Sequence, residues 1–167
     1  MFRRNFDGYL IHGQLDRAGA TGSYLQVFWT GGLESVNTLA QLDPNIPKRL
    51  PALESEGQLL KRLPVYAAAL KNLGARPPLF LALSLIGVSG YSIEIPLPPA
   101  FSFAPQHEGQ IEVDSLILPE VVTETFESDF DEVLKPALDG VWNAAGWRGS
   151  IFYEGSRWVG LGKKFPH

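Results

Sequence analysis

Ser89 stands where a strand-like run, Leu83-Ser84-Leu85-Ile86-Gly87-Val88, breaks into a turn. A serine at such a point suggests the nucleophile elbow of hydrolases, which wants G-x-S-x-G leading into a helix. Here Gly90 directly follows Ser89, Tyr91 takes the second glycine's place, and residues 91–95 are patterned as a strand. A strand-linking turn with two glycines at positive φ is the simpler reading. A hydrolase would use either Ser89 or, instead, the acidic cluster near Glu112 and Asp114.

The other chemical motifs fail at named residues. Gly155-Ser156-Arg157-Trp158-Val159-Gly160 has phosphate-loop glycine spacing, but Leu161 and Gly162 follow where Lys and Ser/Thr are required. The acidic run Glu120, Glu124, Glu127, Asp129, Asp131 and Glu132 lacks the order of a calcium loop and reads as a solvated face. Of the three histidines, His12, His107 and His167, no two have zinc-ligand spacing, and the chain has no cysteine. No metal and no cofactor is therefore expected. Among the four tryptophans, Trp142 lies on an apolar helical stripe, whereas Trp147 and Trp158 neighbour Arg148 and Arg157 and suit a surface. The candidate ligand- or partner-binding residues are Ser89, Tyr91, Trp147, Arg148, Arg157 and Trp158, with none assigned as catalytic.

The elements that must position these residues are well punctuated. Residues 8–12 and 24–29 are β-rich, and Thr30-Gly31-Gly32 turns the second run into residues 33–36. Three prolines make residues 43–51 irregular. Leu59, Leu60, Leu63, Tyr66, Ala67, Leu70 and Leu73 form one helical face, with Pro64 as a kink or a fresh start and Gly74 as C-cap. Residues 79–86 are apolar at both alternating positions, which predicts a central strand covered on both sides. Further strands are predicted over 91–95 and 111–118, the latter extending over 121–125. Phe130, Val133, Leu134, Ala137, Leu138, Val141, Trp142 and Ala145 make a second helix, capped by Ser128 or Asp129, with Pro136 arguing for a later start, and ended by Gly146. A small hairpin turns around Glu154-Gly155-Ser156.

At 167 residues this is one domain's worth of chain. The expectation is a single α+β domain over 1–167: a mostly antiparallel sheet of five or six strands with two main helices packed on it, and a short, basic, flexible tail over 161–167. Charge is uneven. Residues 1–76 carry nine basic and six acidic groups, residues 77–147 one against eleven, and residues 148–167 four against one. A phosphate backbone needs a contiguous basic face, so direct nucleic-acid binding is disfavoured unless the fold joins Arg3, Arg4, Arg148, Arg157, Lys163 and Lys164. No apolar run reaches the roughly 20 residues that span a bilayer, and the N-terminus lacks a signal-peptide core. A cytoplasmic setting is expected.

Three stretches together resemble a known family. Asn5-Phe6-Asp7-Gly8-Tyr9 leads to Tyr24-Leu25-Gln26-Val27-Phe28 and Gly32-Leu33-Glu34-Ser35-Val36. Residues 77–91 follow a helix, and Leu134-Lys135-Pro136-Ala137-Leu138-Asp139-Gly140-Val141-Trp142-Asn143-Ala144-Ala145-Gly146 precedes the terminal hairpin. The pattern is similar to the C-terminal region of bacterial Schlafen-like (AlbA-type) regulators, described as DNA-binding or ATP-binding. It spans most of the chain, with residues 94–118 adding little, and it rests on packing residues. Those family labels belong to an upstream domain without a counterpart here. The resemblance thus implies a non-catalytic interaction or ligand-sensing accessory domain, partnered by that upstream domain or another protein. A small-molecule ligand and a homodimer stay open. A hydrolase-type enzyme is the alternative, and a nucleic-acid-binding module the second.

Overall fold

The computed structural model describes residues 1–14, 21–38, 47–96 and 109–161. His107, His167, Lys163, Lys164 and the expected tail beyond Leu161 lie outside these residues, as does the 43–46 part of the proline-rich stretch. Among the described residues the chain is α+β, with twelve short, mostly antiparallel strands and two helices.

The N-terminal strands β1 (Phe2–Arg4), β2 (Gly8–His12), β3 (Ser23–Phe28) and β4 (Leu33–Asn37) form an antiparallel meander in chain order. Gly31, at φ +90°, makes the β3–β4 turn, where Phe28 N–H donates to the Gly32 carbonyl at 2.9 Å. The β1–β2 turn is closed by Asn5, whose side chain accepts from Gly8 N–H at 2.8 Å. Strand β1 has no alternation to announce it. Its three residues are exposed, and it is held by register against Tyr9, Leu10 and Ile11.

The proline-rich stretch is not irregular to its end. β5 (Arg49–Pro51) pairs in parallel with β8 (Ser92–Glu94), burying Leu50 against Ile93. Helix α1 then runs from Ala52 to Asn72, continuous through Pro64 and beginning well before Leu59. Its early turns look polar, yet Ala52, Glu56, Leu60, Leu63 and Ala67 share one buried stripe. Gly74 caps it as expected. Gly74 N–H donates to the Lys71 carbonyl and Ala75 N–H to the Leu70 carbonyl, a Schellman pair made possible by φ +87°.

A long antiparallel ribbon follows. β6 (Leu79–Leu81) pairs with β10 (Val121–Thr123), and β7 (Ser84–Ile86) with β9 (Ser115–Ile117). Between these pairings Ala82 and Leu83 face Leu118, Pro119 and Glu120, so one strand carries an extra residue. This bulge accommodates Pro119, which has no N–H for a ladder. The expectation of a strand covered on both sides is corrected here. Leu79, Leu81, Leu83 and Leu85 pack inward, but Phe80 and Ile86 are 65% and 69% exposed, as is Ile117 at 75%.

Helix α2 (Phe130–Ala144) is capped by Asp129, whose carboxylate accepts from Asp131 N–H at 3.1 Å. Pro136 sits inside it without delaying its start. Its C-terminus repeats the Schellman geometry: Gly146 N–H reaches the Asn143 carbonyl and Trp147 N–H the Trp142 carbonyl. The chain ends in the hairpin of β11 (Tyr153–Glu154) and β12 (Arg157–Trp158), turned at Gly155.

Two buried apolar clusters hold α1, α2, the ribbon and the hairpin together. One centres on Trp142, Phe152, Ile93 and Ile111, the other on Leu60, Leu63, Phe130, Leu134 and Leu138. Fully burying side chains of this size is worth roughly 1.5–3 kcal/mol each. The N-terminal sheet contributes to neither cluster. Its buried residues are Gly8, His12 and Gln26. So the helices do not pack on one continuous sheet of five or six strands. They pack on the ribbon and hairpin, with the four-stranded sheet set beside them.

Candidate functional site

The N-terminal sheet meets the rest of the molecule across a cleft. Strand β4 forms one wall, the β6–β7 side of the ribbon the other, and α1 the floor. The middle of the cleft, about 180 Å³, is lined by Ser35, Asn37, Ser55, Gln58, Arg62, Tyr66 and Ser84, with Leu59, Leu83 and Leu85 as apolar wall. It continues into a 450 Å³ hollow by Leu33, Arg76 and Phe80, and a 730 Å³ hollow by Thr38, Ile86 and Tyr91. The Ser35 and Tyr66 hydroxyls hydrogen bond across the cleft at 3.0 Å. Strand pairing explains the geometry. β4 ends the sheet, so its outer edge lies outside any ladder among the described residues, and the ribbon's alternation turns Phe80, Ala82, Ser84 and Ile86 toward the opening.

Glu56 lies at the back of this cleft, on the buried stripe of α1 and 4% exposed. Its Oε1 accepts from Trp142 Nε1 at 2.6 Å; its Oε2 accepts from Ser150 Oγ and Trp158 Nε1, each at 2.9 Å. No basic side chain pairs with it among the described residues. Burial pushes its carboxyl above the ordinary glutamate value, although the three hydrogen bonds pull the other way. The arrangement is a clasp, in which one carboxylate ties α1 to α2, to Ser150 and to the terminal hairpin. Gly57 makes room for it, since a Cβ there would meet Trp158 Cη2 at 2.9 Å.

The sequence candidates divide into two places. Ser89 and Tyr91 share the glycine-flanked turn after β7, with Gly87 and Gly90 at φ +74° and +80°. Lys48 Nζ donates to the Ser89 carbonyl at 3.0 Å and lies 5.7 Å from the Tyr91 ring centre. Asp114 meets this turn through its backbone carbonyl, which accepts from Val88 N–H. His12 is the one histidine among the described residues. It sits on β2 with Nδ1 engaged by the Gly13 carbonyl.

Trp147 and Trp158 gather instead around Trp142 and Phe152. The surface reading of these two is corrected. Both are half-buried, Trp147 edge-on to Trp142 at 5.3 Å and Trp158 donating to Glu56. Arg148 and Arg157 are exposed beside them. Arg3 and Arg4, by strand alternation, point to opposite faces of the N-terminal sheet.

Sequence reasoning missed Glu56. The signal was present in its phase: four residues before Leu60, it falls on the apolar stripe once α1 is allowed to begin at Ala52. Among the described residues no group of three or more histidine, aspartate and glutamate side chains is placed to hold a metal ion, and no helix is long and apolar enough to cross a membrane. No family model matches the chain, and comparison with curated proteins and with solved structures found no match.

Proposed function

We propose that this chain is a non-catalytic interaction or ligand-sensing accessory domain of a bacterial regulatory protein, acting in the cytoplasm. The cleft carries this reading. Edge strand β4 faces the apolar β6–β7 side of the ribbon, and serine, asparagine, glutamine, arginine and tyrosine side chains line the space between them. Such a surface offers burial and hydrogen bonding to a partner segment or small molecule. Its one buried carboxylate, Glu56, is already taken by three donors. The family resemblance supports the same reading and supplies its occupants: an upstream domain of the same protein, another protein, a small molecule or a second copy.

The test uses Ser84, an exposed cleft-facing residue on β7. The untagged chain is expected to gain thermal stability with a compound from a metabolite panel, or to self-associate in sedimentation. Ser84→Trp fills the cleft and abolishes that response while its own Tm stays within about 4 °C of the parent. A chain that stays monomeric at every concentration and shows no thermal shift across the panel overturns the proposal.

A further inference from the structure

The other face of the N-terminal sheet holds a second hollow, of 430 Å³, within the usual range of small-ligand pockets of about 300–1,000 Å³. The register lays four residues in one row across the strands: Arg3 opposite Leu10, Leu10 opposite Gln26, and Gln26 opposite Glu34. His12 and Tyr24 face each other in the next row, and Phe28 lines the same face.

This row has unusual chemistry for a sheet. A half-buried antiparallel sheet ordinarily covers an apolar face, yet the buried side chains here are His12, 9% exposed, and Gln26, 5% exposed. Gln26 is locked as the floor by Asn5, at 2.9 and 3.3 Å, and by the Val27 carbonyl. The Tyr24 hydroxyl donates to Glu34 Oε2 at 2.8 Å and so aims that carboxylate. His12 is held in place by its Nδ1–H, which donates to the Gly13 carbonyl at 2.8 Å. Among the described residues neither Arg3 nor Glu34 enters a salt bridge. Three strand spacings separate their backbones by roughly 14 Å.

We infer that this hollow binds a short zwitterionic peptide with free ends, its carboxylate on Arg3 and its ammonium on Glu34. Arginine's fork fits a carboxylate, and Leu10 and Phe28 give the ligand's body an apolar rest. Arginine and glutamate side chains are long enough to take up several ångströms of that separation. At about 3.3–3.6 Å per residue a di- or tripeptide covers it, whereas the charges of a single amino acid lie too close together. Asp7 and Thr21 complete the rim.

The test titrates the full chain with trialanine by calorimetry, following backbone amide shifts. Saturable binding is expected, with shifts at Leu10, His12, Tyr24 and Glu34. N-acetylation or C-terminal amidation each weakens it by at least about tenfold. Arg3→Gln removes the sensitivity to amidation, and Glu34→Gln the sensitivity to acetylation, with circular dichroism verifying that both variants fold. Absence of saturable binding at millimolar peptide, or binding indifferent to both caps, overturns the inference. The cleft-filling Ser84→Trp variant binds trialanine as the parent does, which keeps this site's test separate from that of the cleft.

Discussion

Glu56 joins chemistry and architecture in one side chain. A buried carboxylate satisfied by two indole N–H groups and a serine hydroxyl, with no cation, keeps its charge only at a cost. Its folded-state pKa is therefore raised, chiefly by burial. A raised pKa means that the folded chain holds this proton more tightly than the unfolded chain. The resulting stabilisation is complete below the unfolded value of about 4.3 and is lost as pH rises through the folded one. Glu56→Gln removes that dependence. It also turns an amide N–H₂ toward at least one donor, so we expect a loss of about 1–3 kcal/mol. Urea melts at about pH 4 and about pH 8 should show a wider gap between parent and variant at the lower pH. Little of this was legible in the sequence. Trp142 was readable as core from its helical phase, but nothing local tells that Trp158, 102 residues beyond Glu56, donates to it.

Elements whose boundaries are set by local chemistry read well. Gly74 and Gly146 end their helices because a left-handed residue is needed there, and Asp129 starts α2 because its carboxylate meets a backbone N–H. The Gly31 turn and the Gly155 hairpin were readable for the same reason. Elements defined by a distant partner did not read: β5 depends on β8, and β1 on β2. The run over 79–86 misled because both its faces are apolar, one for the core and the other for the cleft. Gly57 separates local from distant effects. Glycine inside a helix ordinarily costs about 1 kcal/mol relative to alanine, so Gly57→Ala should stabilise α1 in isolation. In this fold the new Cβ displaces an indole pinned to Glu56. We therefore expect net destabilisation of about 1–2 kcal/mol, measured by chemical denaturation. In a Trp158→Ala background the sign should reverse.

At the scale of the molecule, the chain is a helical body with two cores and a four-stranded sheet that shares neither. The sheet's links to the body include the Ser35–Tyr66 hydrogen bond and the cleft walls. Hydrogen exchange should therefore resolve two cooperative units. Amides of β2 and β3 are expected to exchange through a sub-global opening, at least about tenfold faster than those of α2 around Leu138 and Val141. A single common opening free energy for both sets would show that the sheet is coupled to the cores after all. The division was only partly legible: β2, β3 and β4 could be read, but whether their inward residues reach a core is a property of assembly.

The side chains buried within that sheet are an amide and an imidazole rather than hydrocarbon. Opening it uncovers little oily surface, so the step should carry a small heat-capacity increment and a shallow dependence on urea. Cooling weakens hydrophobic cohesion but leaves the Asn5–Gln26 amide pairing largely intact. The sheet is thus the part of this protein whose grip changes least between a cold and a warm cell.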